Sequence, residues 1–136
     1  MKKSSFIIIF LISLHFIGFS QYKYNPFPEK QYKVTKIIKI KKAFIIDVID
    51  VSNYKRYTII SLRNTNDKKG IKIRKGNCYN FILYPYYDPK FIYTSDLGYT
   101  HKITIDDIQI FIKENLRHGL FTLSPNLNGL YYIRCK

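Results

Sequence analysis

The sequence is poor in cysteine and in acidic residues, and both shortages limit what the protein can be. Its two cysteines are Cys78 and Cys135, far from the N-terminus. A bacterial lipoprotein carries its lipid on a cysteine at the new N-terminus, so this mode of attachment is excluded. Acidic residues number 9 against 23 Lys and Arg, which gives a formal net charge of +14. Tryptophan is absent and Ala43 is the only alanine, a bias typical of an AT-rich genome.

The acidic deficit predicts a strongly positive electrostatic field. An AT-rich genome raises the lysine content, but it does not strongly disfavour Asp and Glu codons. A positive field attracts nucleic acid, anionic glycans and lipid head groups. We therefore expect an anionic polymer or an envelope component as the partner. Charge that serves solubility alone is the alternative.

Residues 1–20 have the pattern of a secretory signal peptide. Lys2 and Lys3 precede an apolar run over 6–19, and small residues end it at Gly18 and Ser20. The run is shorter than the about 20 residues of a spanning helix, which favours cleavage after Ser20 over an uncleaved anchor. We expect a periplasmic or secreted protein without a transmembrane span after cleavage.

The two cysteines form an even pair in a chain that we expect to be exported. An oxidising compartment favours a Cys78–Cys135 disulfide, worth ~4 kcal/mol in the chain-entropy model. Two thiols that never meet are the alternative, because the sequence does not place their Cα atoms within reach.

After the signal peptide, the sequence predicts an extended leader over 21–32 and a single β-barrel domain over 33–136. Residues 33–51 alternate in hydrophobicity, and the apolar parity switches near Lys42 and Ala43. We interpret this switch as a bulge in one curved strand. Alternation predicts further strands over 57–63, 71–74, 78–84, 120–123 and 130–135.

Residues 85–101 contain two prolines, a glycine and several tyrosines, which predicts a long connection. Four of these tyrosines form either a glycan or protein contact surface or a lid on the barrel: Tyr86, Tyr87, Tyr93 and Tyr99.

Residues 105–117 fit either a helix or a strand. A cap at Thr104 and a stripe of apolar residues fit the helix. Isoleucines that alternate on both sides of Asp106 and Asp107 fit strands joined by a tight turn, and we favour a strand over 108–113. Further on, the Asn128-Gly129 pair predicts a hairpin.

This order of elements resembles an OB-fold barrel, closed by a C-terminal hairpin. It also resembles small exported single-domain proteins of unknown function from AT-rich Gram-negative bacteria. Those show an Ile-Lys-x-Gly-x-x-Tyr-type third strand and a C-terminal Asn-Leu-x-Gly-Leu, matched here by 73–79 and 126–130. The resemblance implies a small, mainly β, OB-like antiparallel barrel and brings no activity with it.

An OB-like barrel that binds a polymer would use its second and third strands and the loops beside them. Single-stranded polymers need cations along a groove and aromatic faces for stacking. Residues of these types in that region are Lys55, Arg56, Tyr57, Arg63, Lys72, Arg74, Lys75 and Tyr79. The same alternation of lysine and isoleucine is typical of any solvated strand.

The sequence contains no recognisable catalytic motif, and we expect a non-enzymatic protein without a metal or cofactor. Asp106, Asp107 and Glu114 are the candidates for a small metal-assisted hydrolase. Adjacent aspartates on a strand point to opposite faces, so a turn or a helix cap is favoured for the pair. His101 and His118 lack metal-ligand spacing, and we expect both to be exposed.

Overall fold

The computed structural model of the protein describes residues 24–63, 69–87, 90–94 and 98–134. These residues are mainly β-strand, as predicted, and contain no α-helix. The strands are β1 Tyr32–Lys39, β2 Ala43–Asp50, β3 Arg56–Leu62, β4 Ile71–Lys72, β5 Cys78–Tyr79, β6 Tyr84–Pro85, β7 Lys90–Thr94, β8 Gly98–Ile105, β9 Ile108–Lys113, β10 Leu120–Leu123, β11 Leu127–Asn128 and β12 Tyr131–Tyr132. A 3-10 helix covers Glu114–Leu116. The predicted signal peptide and Cys135 lie outside the described residues.

The central sheet has the strand order β5-β1-β2-β3-β10-β6, and only β3 and β10 pair in parallel within it. Its edge strands β5 and β6 follow each other closely in the chain. An extended segment from Tyr79 to Tyr84 spans at most about 18 Å. Six strands laid flat would place the two edges about 24 Å apart. The sheet therefore has to curl, and it forms a half-barrel.

Both faces of β2 and β3 are buried, so the molecule has two apolar cores. On one face, Ile46 and Ile59 pack with residues of the three-stranded sheet β11-β12-β4 and with Phe81. On the other face, Ile45 and Ile60 pack against the isoleucines of the sheet β7-β8-β9. Each fully buried isoleucine contributes about 1.5–3 kcal/mol to folding.

The single curved strand predicted over 33–51 is wrong. The segment forms two antiparallel strands joined by a turn at Lys41 and Lys42, and the Ile40 N–H donates to the Ala43 carbonyl at 2.9 Å. The apolar parity switches because the chain reverses direction. A bulge and a two-residue turn produce the same switch in the sequence.

The long connection predicted over 85–101 is also wrong. Within it, β7 pairs antiparallel with the beginning of β8, and Tyr93 lies opposite Tyr99. Prolines and tyrosines suggested a loop, but the paired backbone of this segment builds the first strand of the β7-β8-β9 sheet.

The strand favoured over 108–113 is confirmed as β9, and the helix considered for 105–117 is wrong. Asp106 and Asp107 form the turn between β8 and β9, with φ of 49° and 64°. Positive φ at both central positions is the pattern of a type I′ turn, which aspartate tolerates. The predicted C-terminal hairpin is present, with its loop one residue later, at Gly129 and Leu130.

We predict that Gly119→Ala destabilises the protein more than Gly76→Ala. A Cβ at position 119 would lie 2.5 Å from the Arg56 carbonyl oxygen and 2.8 Å from the Tyr57 nitrogen. The parallel β3–β10 pair would have to separate, at a cost of about 3 kcal/mol. Gly76 has a φ of +91° but open space around it, so alanine there costs about 1–2 kcal/mol of backbone strain. Urea unfolding measures both losses, and equal losses would contradict the close approach.

Candidate functional site

The basic residues predicted as a site do not lie together. Arg56 begins β3 and Arg63 follows its other end, so the length of the strand, about 20 Å, separates them. Lys72 lies on β4 in another sheet, and Lys55 lies in the β2–β3 loop. The strand between the two arginines has both faces buried and offers no continuous binding groove.

Arg63 secures the β1–β2 turn. Its guanidinium donates to the carbonyls of Ile40 at 2.7 Å and Lys41 at 3.0 Å, and it lies over the Phe44 ring at 5.8 Å. Its backbone N–H donates to the Lys42 carbonyl at 3.0 Å. A cleft of about 650 Å³ opens beside this turn, lined by Lys41, Lys42, Arg63, Asp107, Ile108 and Gln109. The Nη1 group and the backbone N–H of Arg63 are therefore committed to the fold.

The two aromatic residues of the predicted site pack in the core or against it. Tyr79 is 8% exposed, and its hydroxyl accepts a hydrogen bond from the Arg74 N–H at 2.9 Å. Tyr57 is half-buried and packs against Phe27 and Tyr32. A base or sugar could stack on Tyr79 only if the core opened, so Tyr79 is not part of the surface that we propose below.

Exposed cations lie along β1, in its turn to β2 and in the neighbouring 74–77 turn. Backbone bonds hold that turn against β1: Gly76 N–H donates to the Val34 carbonyl at 2.7 Å, and Val34 N–H donates to the Asn77 carbonyl at 3.0 Å. We call these residues the basic edge: Lys33, Lys36, Lys39, Lys41, Lys42, Arg74 and Lys75. The part on β1 alone extends over about 20 Å.

A second feature, which we call the polar cleft, lies on the β1-β2-β3 sheet next to this edge. It has a volume of about 260 Å³ and is lined by Thr35, Lys36, Asp47, Val48, Ile49, Arg56 and His118. Lys36 belongs to both features.

A bulge in β1 builds one wall of the polar cleft. The strand register shifts between Val34 and Lys36, which leaves Thr35 without a pairing partner on β2. The Thr35 hydroxyl donates to the Asp47 carbonyl at 3.1 Å and fixes the bulge there. Bulges often lie beside functional sites because they redirect side chains.

The register then sets the residues around Asp47. Lys36 lies opposite Asp47 on β1, and Thr58 lies opposite it on β3, so the three share one face. Gly119 lets β10 approach the backbone of Arg56, which brings the adjacent His118 to the same cleft.

Asp47 is a carboxylate at the floor of this cleft, 5% exposed. Its Oδ1 accepts a hydrogen bond from the Thr58 hydroxyl at 3.1 Å, and its Oδ2 lies 3.7 Å from His118 Nε2. Burial raises the pKa of Asp47, although the Thr58 hydrogen bond and the charges of His118, Lys36 and Arg56 act to lower it. In the alternating stretch 33–51, Asp47 lies between Ile46 and Val48, and the structure buries all three side chains.

Asp50 lies three residues further along β2, and its environment differs from that of Asp47. It is buried, accepts from the Ser52 N–H at 2.8 Å and the Ser52 hydroxyl at 2.6 Å, and pairs with Lys30 at 3.2 Å. Burial alone would raise the pKa of Asp50, but the Ser52 hydrogen bonds and Lys30 outweigh it and lower the pKa. Ser52 binds its Oδ1 and Lys30 pairs with its Oδ2, which gives Asp50 a role in the fold.

The two histidines differ. His118 is exposed, as expected, whereas His101 is 6% exposed, so the expectation for His101 is wrong. The His101 ring pairs with Glu114 and packs edge-on against Phe121 at 5.2 Å. The other ring contact of Phe121 is with Arg117, whose guanidinium lies at 4.6 Å. These contacts give His101 a structural role in the core beneath β10.

The described residues contain no group of three or more His, Cys, Asp or Glu that could hold a metal ion. Asp106 and Asp107 are exposed in their turn, and Glu114 lies beyond the opposite end of β9. Cys78 is exposed on β5. Because Cys135 lies outside the described residues, the disulfide stays a prediction.

No family model, no curated protein and no solved structure matches this chain. The part of the chain that the structure describes contains no helix with the length and apolarity that a membrane span requires.

We predict opposite stability changes for the same substitution at the two aspartates. The pKa of Asp47 is raised above its ordinary value of 3.8, so its ionised form destabilises the fold at neutral pH. Asp47→Asn therefore raises the free energy of unfolding there, and the gain shrinks as the pH falls towards 3.8.

Asp50→Asn is the matched control on the same strand. The pKa of Asp50 is lowered, so its contribution is present above its ordinary value and is lost as the pH falls through the folded-state pKa. The substitution lowers stability at neutral pH by about 1 kcal/mol or more. Urea unfolding between pH 3 and pH 8 measures both. A loss of stability in both variants at neutral pH would contradict the assignment of Asp47.

Proposed function

We propose that the protein is an exported, non-enzymatic β-module that holds an anionic polymer or an anionic envelope surface along its basic edge. The observation that supports this most directly is the concentration of seven exposed cations on β1 and the two turns beside it. The curled sheet is consistent with an OB-like half-barrel, an architecture whose strands and loops suit extended polymers.

Among the described residues, β5 pairs with β1 only at Tyr32 and Lys33, so the lysines further along β1 lie at an open stretch of sheet edge and have two uses. Lysines on an edge strand discourage pairing with another sheet, because each ammonium would have to lose its water. The same cations, spread along β1 and its turns, attract a linear polyanion, and binding gains affinity from the release of counterions. No catalytic chemistry is required for either use.

A protein-interaction module whose charge is incidental is the second candidate, and one observation favours it. Tyr93 and Tyr99 lie opposite each other on β7 and β8, 67% and 61% exposed, with ring centroids 5.2 Å apart. Exposed paired tyrosines are typical of contact surfaces, because they bring apolar area together with a polar hydroxyl.

We predict that binding of heparin and of a thymidine oligonucleotide weakens with salt, and that the basic edge causes this. Replacing Lys39, Lys41 and Lys42 together by Gln should reduce the slope of log K against log salt by about 2–3, since each phosphate contact contributes about 0.7–0.9. Fluorescence anisotropy between 50 mM and 300 mM salt measures the slope.

The matched control replaces three exposed cations elsewhere, Lys55, Lys72 and Lys113, by Gln. The net charge falls by the same amount, so long-range attraction weakens equally. A control slope that decreases as much as that of the edge variant would contradict a localised surface and favour incidental charge.

We also predict that the mature protein begins at Gln21. The signal-peptide pattern places a signal peptidase site after Ser20, and the exported chain then reaches the anionic glycans and lipids of the envelope. Mass spectrometry of the protein purified from a Gram-negative host after osmotic shock measures the N-terminus. A full-length chain retained in the cytosol would contradict the export.

A further inference from the structure

The polar cleft combines cations that bind anions with an acceptor that would repel them. Lys36 and Arg56 provide ammonium and guanidinium donors, and the buried Asp47 carboxylate lies between them on the sheet. Asp47 Oδ2 lies 3.7 Å from His118 Nε2, beyond hydrogen-bond distance. The side chains of the cleft can therefore donate hydrogen bonds to an acidic group of a ligand. They can also accept a hydrogen bond from a neighbouring donor of the same ligand.

This combination restricts the chemistry of a ligand. A simple anion would meet the Asp47 carboxylate, and a phosphate would do so with up to two charges. A primary ammonium could satisfy Asp47, but it would be repelled by Lys36 and Arg56. A ligand with a neutral hydroxyl donor and a separate, singly charged carboxylate can place the hydroxyl on Asp47 and the carboxylate on the cations, which keeps the two like charges apart.

The lining also distinguishes a sugar from a nucleobase. Proteins that bind bases of single strands stack them on aromatic side chains. None of the described residues that line the cleft is Phe, Tyr or Trp. Hydroxyl groups at fixed spacing need convergent polar partners instead, and Asp47, His118 and Thr35 are of this type.

We propose that the polar cleft binds one uronic acid unit of an acidic glycan, whose remaining length follows the basic edge. The sugar carboxylate lies against Arg56 and Lys36, and a ring hydroxyl donates to Asp47 Oδ2 beside His118. The proposal rests on the proposed function and narrows its polymer to a glycan, because Lys36 joins the cleft to the edge. The planar guanidinium of Arg56 suits a carboxylate with two parallel hydrogen bonds.

The experiment compares an oligogalacturonate, a galactose oligomer of equal length and a thymidine oligonucleotide of equal charge, by isothermal titration calorimetry. The central variant is Asp47→Val, which removes a negative charge and an acceptor and suits a β-strand. Electrostatics alone predicts that this variant binds both polyanions at least as tightly. The cleft proposal predicts about tenfold weaker binding of the oligogalacturonate with unchanged or tighter binding of the oligonucleotide.

A second pair of variants keeps the test valid if Asp47→Val does not fold. Lys36→Gln with Arg56→Gln is compared with Lys41→Gln with Lys42→Gln; all four positions are exposed, and each pair removes two positive charges. The cleft pair should weaken oligogalacturonate binding about tenfold more than the edge pair does. Both pairs should weaken oligonucleotide binding about equally. The galactose oligomer should bind at least tenfold more weakly than the oligogalacturonate.

Equal losses with both pairs for oligogalacturonate, or tighter oligogalacturonate binding by Asp47→Val, would overturn the cleft site. Salt-dependent binding of both polymers by the unmodified protein would remain in that case, and the proposed function would stand. If the unmodified protein binds neither polyanion, the proposed function is contradicted and the cleft site with it.

Discussion

The burial of β2 and β3 on both faces is the constraint on which the other features depend. Side chains in the central part of these strands have to be apolar or satisfied locally, because the two cores cover most of both faces there. This requirement explains the isoleucine-rich sequence of the pair, which packs one core against the β7-β8-β9 sheet and another against the C-terminal hairpin. It also makes an ionisable side chain on β2 costly, and the strand contains two.

The two aspartates of β2 meet that cost differently. Asp50 lies at the strand end, where Ser52 and Lys30 satisfy it, and its charge benefits the fold. Asp47 lies further inside, with one side-chain hydrogen bond at 3.1 Å and His118 Nε2 at 3.7 Å, and its charge opposes the fold. A carboxylate kept where it reduces stability, in a cleft with cations around it, is the common signature of a site that serves binding or chemistry. This contrast, more than the net charge, distinguishes the polar cleft from the rest of the surface.

Much of the local structure could be predicted from the sequence, whereas the pairing between distant segments could not. Alternation predicted the strand of 120–123 and the break at Asp106 and Asp107, because period two and turn chemistry are local. The Lys41-Lys42 turn was mistaken for a bulge, since neither lysine is a turn former and both geometries shift parity. Asp47 was missed for a related reason: its burial results from β1, β3 and β10, whose register no local pattern contains. The signal available was a single carboxylate inside an otherwise apolar run.

The lysines of β1 show how the fold brings to one face residues that a regular strand would separate. Lys33 and Lys36 are three residues apart and would point to opposite faces of a regular strand. The extra residue at Thr35 shifts the register, so Lys33 lies opposite Ile49 and Lys36 opposite Asp47, both on one face. Arg56 lies opposite Ile49 from the other side and completes that face. A single inserted position thus converts an ordinary solvated edge into a set of cations arranged around a buried carboxylate.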